Sequence, residues 1–469
     1  MKDYITISSV YFIGIGGIGM SALARYYLSK NVTVRGYDKT PTPLSKQMES
    51  EGIVIHYEDK VELLDKNAEL VVYTPAIPKE HKEFNYYKEH NYEIAKRSDV
   101  LQQITKSTFN ICIAGTHGKT TISTMVAYIL RHSGFGCNAF LGGISVNYDT
   151  NFWSSDNNVS VVEADEYDRS FLKLTPDIAL ISAMDADHLD IYGTLENMQD
   201  TFLEFANRLK PGGLLLTKYG LTRNEFHSSN HIRYSLQNNA ADAYASNITM
   251  RNGGYEFGVT AETWMLDKVK LNMGGMHNVE NAVAAITIAN YLKIDPVKIK
   301  ASVEAFKGVK RRFEYIISPS EAEQEKNNVV FIDDYAHHPE ELKALITSAK
   351  SLFNNRKCTV IFQPHLFSRT NDFAKQFAES LDNADEILLL PIYPARESPI
   401  EGVTNKLILE KMKNEHACVI NAEKLLKYLS EDYIASVKES MNGQLLITAG
   451  AGNIDQLIQP IKKILLNTI

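Results

Sequence analysis

Short apolar runs recur along the chain, each closing in a polar or glycine-rich loop and leading into a stretch with apolar residues at helical spacing. Val10 to Ile15 runs into Gly14-Ile-Gly16-Gly17-Ile18-Gly19 and then a helix-like stretch, Met20 to Leu28. Val32 to Tyr37, Ile53 to Ile55 and Leu70 to Tyr73 read as further strands. Phe109 to Ala114 runs into Gly115-Thr116-His117-Gly118-Lys119-Thr120-Thr121, followed by Ile122 to Arg131 at helical spacing. Val159 to Val162 ends in Glu163-Ala-Asp165-Glu166-Tyr167-Asp168-Arg169, and Ile178 to Ser182 leads to Asp185-Ala-Asp187-His188-Leu189-Asp190. Residues 210–270 are less regular and β-rich, an expected insertion beside a nucleotide core. A clean helix, Ala282 to Leu292, follows. Asn328 to Ile332, Thr359 to Phe362, Ile387 to Leu390 and Leu445 to Thr448 then repeat the alternation, with a helix opening at Pro339. Strands alternating with helices predict an α/β protein with parallel sheets and right-handed crossovers.

The chain of 469 residues exceeds one ordinary core, and roughly three domains are expected. Tyr73-Thr-Pro-Ala-Ile-Pro78 takes the chain out of the first sheet. Boundaries near 105 and 313 give three domains. They are a Rossmann-like N-terminal one (1–105), a central P-loop ATPase-like α/β domain carrying the β-rich excursion (106–312), and a Rossmann-like C-terminal one (313–469). Composition narrows the partners. With 49 basic and 57 acidic residues, net −8, nothing points to nucleic acid. No stretch approaches the roughly 18 apolar residues of a membrane helix, and no signal-peptide h-region opens the chain. Cys112, Cys137, Cys358 and Cys418 form no C-x-x-C pair; they read as small core residues of a reducing cytoplasm.

Two glycine loops carry the first chemistry. A glycine-rich turn between strand and helix points backbone N–H groups at one spot, at the positive end of the helix dipole. In Gly115 to Thr121, Lys119 adds a charge and Thr120 a hydroxyl suited to Mg²⁺, so the loop fits the phosphates of ATP or GTP. The first loop fits G-x-G-x-x-G, with Asp38 roughly 20 residues on, where a ribose hydroxyl would be held. Alone it predicts an NAD-type dinucleotide, although any nucleoside diphosphate satisfies it. Glu163, continuous with its strand, is the favoured carboxylate for Mg²⁺, and His188 is a second metal candidate. Asn278 and Asn281 sit three apart at the opening of the helix and would lie on the same helical face; one can cap it, and a purine edge or ribose suits the surplus. The basic run Lys307 to Phe313 could deliver an arginine to a transferring phosphoryl group. In the last domain, Asp333-Asp334-Tyr335-Ala336-His337-His338-Pro339, Gln363-Pro-His365-Leu366-Phe367-Ser368-Arg369 and Gly450-Ala-Gly452-Asn453 all fall at strand ends, the ligand edge of an open sheet. Two phosphate loops plus a third domain with histidine and arginine imply three substrates: ATP with Mg²⁺, a diphosphate carrier and a small polar molecule.

These motifs, with Arg311-Arg312-Phe313, resemble in order the motifs of the Mur ligases of peptidoglycan synthesis, along essentially the whole chain. The resemblance implies ATP-dependent joining of L-alanine to the lactyl carboxylate of UDP-N-acetylmuramate through an acyl phosphate. The N-terminal loop (Gly16, Gly17, Ile18, Gly19, with Asp38) would hold the UDP-sugar and not NAD. Gly115, Thr116, His117, Gly118, Lys119, Thr120 and Thr121 would hold ATP. Lys119 would neutralise the transferring phosphoryl group. Thr120 and Glu163 would hold one Mg²⁺ and His188 a second. Asn278 and Asn281 would contact the ATP side. Arg312 and Asp334 would anchor nucleotide. Tyr335, His337, His365 and Arg369 would surround alanine in a C-terminal domain that closes over the site. Catalysis would rest on Lys119, His188 and Arg312.

The chain departs from the family pattern in two places. Leu366 stands where the family often has arginine, which leaves the alanine carboxylate to Arg369 or another residue. Leu195 to Arg208 contains no lysine, so no carbamylated lysine ligand is expected. The alternative within the family is a muropeptide ligase attaching a preformed peptide to the same nucleotide sugar. Outside it stand an NAD-linked UDP-sugar dehydrogenase and a non-catalytic nucleotide-binding protein. The sequence is silent on oligomeric state.

Overall fold

The computed structural model describes residues 4–324, 328–395 and 397–467. The first sheet is built from β1 (Ser9–Ile13), β2 (Thr33–Tyr37), β3 (Val54–His56), β4 (Leu70–Tyr73) and β5 (Ile94–Lys96), in the order β3-β2-β1-β4-β5. Every pair is parallel. Strand order reverses at β1, so the glycine loop after β1 opens at a switch point, where a crevice forms. The helix Ile18–Ser29 follows directly.

The second sheet has ten strands among the described residues; seven of them, β6 (Phe109–Ala114), β7 (Asn138–Ser145), β8 (Thr150–Trp153), β9 (Val159–Glu163), β10 (Ile178–Ile181), β11 (Leu214–Lys218) and β12 (His231–Ser235), stand in the order β12-β11-β10-β6-β9-β7-β8. All pair in parallel except β8 against β7. β6 is flanked by β10 and β9, so the loop 115–121 lies between the ends of those two strands. The excursion differs from expectation: β11 and β12 continue this sheet in parallel. β13 (Ala243–Arg251) also pairs in parallel with β12, and β14 (Gly254–Ala261) and β15 (Met265–Leu271) follow in the same sheet with no helix between them. Apolar runs show a strand but not its neighbour, which is why the sequence reads the whole segment as an insertion.

The third sheet holds β16 (Glu314–Ile317), β17 (Val329–Asp334), β18 (Lys357–Phe362), β19 (Glu386–Leu389), β20 (Ala417–Val419) and β21 (Gln444–Ala449), ordered β16-β17-β21-β18-β19-β20, with only β16 antiparallel. Alternate residues serve opposite faces. Val330, Ile332, Val360, Phe362, Leu445 and Ile447 join one core, and Val329, Phe331, Ile361 and Leu446 another. Both faces are covered, as a parallel sheet requires.

Three sheets group into two compact units. One comprises 1–245, 259–266 and 280–303; the other comprises 246–258, 267–279 and 304–469. The first two sheets fall in one unit because a single core joins Phe12, Leu23 and Tyr27 to Phe140, Phe152, Val162 and Ile181. A buried polar clamp accompanies it. Asn151, fully buried on β8, donates to Ile18 O at 2.6 Å and Ser21 Oγ at 2.9 Å, and accepts from Arg25 Nη1 at 2.6 Å. Cys112, Cys137 and Cys358 are buried as expected, but Cys418 is exposed, because β20 is an edge strand. Among the described residues no helix is long and apolar enough to cross a membrane.

Candidate active site

The loop after β6 is wound tightly. Gly118 caps the helix Lys119–His132 with φ +81°, and Gly115 has φ +128°, conformations an L side chain resists. A Cβ on Gly115 would lie 2.3 Å from Ser182 Oγ and 2.8 Å from the backbone nitrogens of Ser182 and Ala183. The Ser182 hydroxyl contacts the carbonyls of Ala114 (3.2 Å) and His117, and so pins both ends of the turn to β10. Thr116 Oγ1 accepts from Asp185 N at 3.1 Å. His117 stands outside, exposed, 3.5 Å from the Asp185 carboxylate. Thr120 and Thr121 are buried in the first helical turn. The Asn281 amide oxygen lies 2.9 Å from where a Gly118 Cβ would stand, so Asn281 belongs beside this loop.

Two carboxylates from the end of β9 meet the loop. Thr120 Oγ1 donates to Glu163 Oε1 at 2.9 Å, and Gly142 N donates to Glu163 Oε2 at 3.0 Å. A Cβ on Gly142 would fall 2.4 Å from that carboxylate, so the glycine leaves room for Glu163 where it stands. Lys119 Nζ donates to Glu166 Oε1 and to Gly115 O, each at 2.8 Å. Glu166 is fully buried; desolvation raises its pKa against the lowering effect of Lys119. Sequence reasoning missed Glu166 as the lysine partner. It sits in an acidic run whose members look alike until the turn after β9 turns one of them inward.

His188 stands beside two carboxylates. Ligand atoms of Glu166, Asp187 and His188 lie within 4.8 Å of one another, while Glu163 is engaged by Thr120 and Gly142. The second Glu166 oxygen, Oε2, is buried with no hydrogen-bond partner. Two carboxylates, one of them with an orphaned buried oxygen, and an imidazole form a donor set that fits a divalent cation such as Mg²⁺.

At the N-terminal loop, Gly14 N and Ile15 N donate to Tyr37 O at 2.8 and 3.0 Å. Asp38, expected at a ribose, accepts from Gly16 N at 2.7 Å and braces the loop itself. Gly17 caps the following helix with no side-chain hydrogen bond, Ile18 is exposed, and Gly19 carries the Arg97 guanidinium against its Cα.

The second unit collects the C-terminal candidates. The Tyr335 and His337 rings lie 5.2 Å apart, and those of His337 and His365 6.2 Å apart. His365 stacks on Tyr393, and Arg369 Nη1 is 3.3 Å from His365 Nδ1. Burial pushes both imidazoles below their ordinary range, with Arg369 adding to the effect. Leu366 heads the helix Phe367–Leu381 with φ +71°, strain that a leucine tolerates only when its surroundings enforce it.

Two expectations change here. Asp334 does not present a free carboxylate. Its oxygens accept from Phe313 N (2.6 Å) and Ala336 N (2.7 Å), and burial lifts its pKa to about 6. Arg311 is spent internally, on Asp333 at 3.3 Å and over the Tyr335 ring, which leaves Arg312 as the exposed arginine of the pair. Asn278 and Asn281 lie within their helix, as residues of one helical face, but it begins at Met276 and not near Ala282. Asn278 Nδ2 donates back to Gly274 O at 2.7 Å. Neither Asn occupies the cap position because the chain turns earlier, at Gly275 with φ +85°. The Asp190 side chain lies outside the described residues.

A phosphate loop between two carboxylate-bearing strand ends, on a sheet joined to a Rossmann-like one, defines a nucleotide-using α/β enzyme of the phosphate-loop type. Three family models then match in sequence: the Mur ligase family catalytic domain over residues 9–108, the Mur ligase middle domain over 113–289 and the Mur ligase glutamate ligase domain over 311–452. The chain belongs to the Mur ligase family. It is 45% identical to the UDP-N-acetylmuramate–L-alanine ligase of Cytophaga hutchinsonii, over 97% of this chain and 96% of that one. It is 44% identical to the enzyme of that name from Phocaeicola vulgatus, over 98% of each. Among solved structures, the UDP-N-acetylmuramate–alanine ligase of Thermotoga maritima matches with TM-score 0.80 and 26% identity over 97% of this chain and 98% of that one. A murein peptide ligase from Psychrobacter arcticus shares the fold, with TM-score 0.66 and 22% identity over 98% and 99%.

Proposed function

We infer that this chain joins L-alanine to UDP-N-acetylmuramate, driven by ATP. The observation that carries the reading is end-to-end identity of 44–45% with relatives of that activity, on a site built for phosphoryl transfer. A carboxylate is a poor acyl donor. Its oxygen attacks the γ-phosphorus of ATP, ADP leaves, and the acyl phosphate gains a leaving group. The alanine nitrogen then attacks the acyl carbon, phosphate departs, and the nitrogen loses its proton. Lys119 balances charge on the moving phosphoryl group. Glu166, Asp187 and His188 would hold Mg²⁺, which supplies Lewis-acid neutralisation of phosphate oxygens. Arg369 matches the alanine carboxylate, with His337 and His365 beside it as neutral rings. The same reading places the enzyme in the cytoplasm.

Purified protein given ATP, Mg²⁺ and UDP-N-acetylmuramate releases phosphate only when free L-alanine is added. Turnover with a tripeptide and none with alanine would replace this reading by the peptide-attaching one.

A further inference from the structure

Given a nucleotide-sugar substrate, as inferred above, we propose that Arg97 binds its diphosphate and completes the N-terminal loop. Arg97 opens the helix Arg97–Lys106 directly after β5. β5 runs parallel to β4, itself beside β1, so Arg97 emerges on the same sheet edge as the glycine loop. Its guanidinium rests on Gly19: a Cβ there would lie 2.6 Å from Nη1 and 3.1 Å from Cζ. The third glycine of such a loop ordinarily serves helix–strand packing. Here it clears room for a cation.

The setting explains the need for that cation. The loop contains no lysine, and its nearest acidic side chain, Asp38, is bonded to Gly16 N. A diphosphate placed over Gly16 to Gly19 meets that negative charge with only backbone N–H groups and a helix dipole to offset it. Arg97 is half-buried, and among the described residues its side chain makes no hydrogen bond or ion pair. Arg25, on the helix that the loop opens, is by contrast bonded bidentately to Glu51 at 2.7 and 2.8 Å. A partly desolvated guanidinium without an anion is costly unless one is supplied. Its planar fork matches phosphate oxygens. Arg97 also lines one small cavity with Ser98, Glu163, Asp165 and Ser170, so it faces from the glycine loop toward the end of β9.

The test measures UDP binding by calorimetry, with KM values for UDP-N-acetylmuramate and ATP, in wild type, Arg97→Ala and Arg97→Lys. Losing charge-assisted hydrogen bonds should weaken UDP and raise the UDP-N-acetylmuramate KM by the same factor, about 10- to 100-fold. The ATP KM should stay unchanged, and lysine should recover part of the loss. If UDP binds Arg97→Ala as tightly as wild type while the UDP-N-acetylmuramate KM rises, the guanidinium serves the sugar acid and the proposal is overturned. Unchanged values for both overturn it too. Should Arg97→Ala not fold, Arg97→Lys decides alone: an unchanged UDP affinity overturns, a weakened one supports. Failure of the alanine reading shows separately, as wild type lacking alanine-dependent phosphate release whatever Arg97 does to UDP.

Discussion

The two glycine loops of the first unit share a plan of strand, tight turn and helix, yet they are equipped differently. After β1, the loop is braced by its own Asp38 and carries no cation of its own. After β6, the loop carries Lys119 and Thr120, each bonded to a carboxylate at the end of the neighbouring strand β9. Backbone N–H groups suffice to hold an anion that stays intact. Moving a phosphoryl group needs charge that can follow it. Glycines therefore mark where phosphate sits, and side chains arriving from the next strand mark where it reacts.

The sharpest way to break this contrast is Lys119→Ala. If the second loop is the reactive one, turnover falls about 10³-fold or more while UDP affinity stays at the wild-type value. Comparable loss of UDP binding, measured by calorimetry, would mean that the loops are not divided in this way.

A matched pair of glycine substitutions comes next. Gly115→Ala puts a Cβ into the backbone of β10's end at a φ of +128°, with no side chain able to yield except Ser182. Gly16→Ala meets only the Asp38 carboxylate at 2.9 Å, which can rotate away. Gly115→Ala should raise the ATP KM and cut kcat, together about 100-fold. Gly16→Ala should raise only the UDP-N-acetylmuramate KM, about 3- to 10-fold. Equal effects from both would erase the distinction.

Asn151→Leu tests how the first loop is held in place. It strips Ile18 O, Ser21 Oγ and Arg25 Nη1 of a buried partner, at about 1–3 kcal/mol for each group left unpaired. A lowered urea midpoint with a raised UDP-N-acetylmuramate KM and an unaltered ATP KM is expected. No stability change would mean that water replaces the amide.

Much of this was legible in the chain, and the exceptions share a cause. Gly-Lys-Thr-Thr, the strand ends at Glu163 and Asp334, and the helix opening at Pro339 are local, set by residues adjacent in sequence. The Lys119–Glu166 pair, Arg97 on Gly19 and Asn151 on Ile18 depend on strand order, which periodicity does not encode. The early helix start at Met276 was hidden because Gly274, Gly275 and two asparagines imitate a loop and cap. Cys418 looked like core because a buried and an edge strand have the same apolar signature.

The smallest effect expected lies in the first domain, away from either loop's glycines. Glu83 is fully buried, accepts from Tyr11 at 2.5 Å and from Lys60 N at 3.1 Å, and desolvation pushes its pKa up to about 7 from an ordinary 4.5. A raised folded-state value means that the folded protein binds this proton more tightly than the unfolded chain does. The stabilisation is therefore complete below pH 4.5 and is lost as pH rises through 7. His56, 3.6 Å from Glu83, and His81 are held below their ordinary range by burial and titrate in the opposite sense. The readout is thus the difference between wild type and Glu83→Gln in melting temperature across pH 5 to 8. Wild type should lose a few degrees relative to the variant over that span. Activity at fixed pH should change little, because the carboxyl supports the sheet under the first loop and touches neither phosphate site. Parallel melting curves across the range would place Glu83 with ordinary ionised carboxylates.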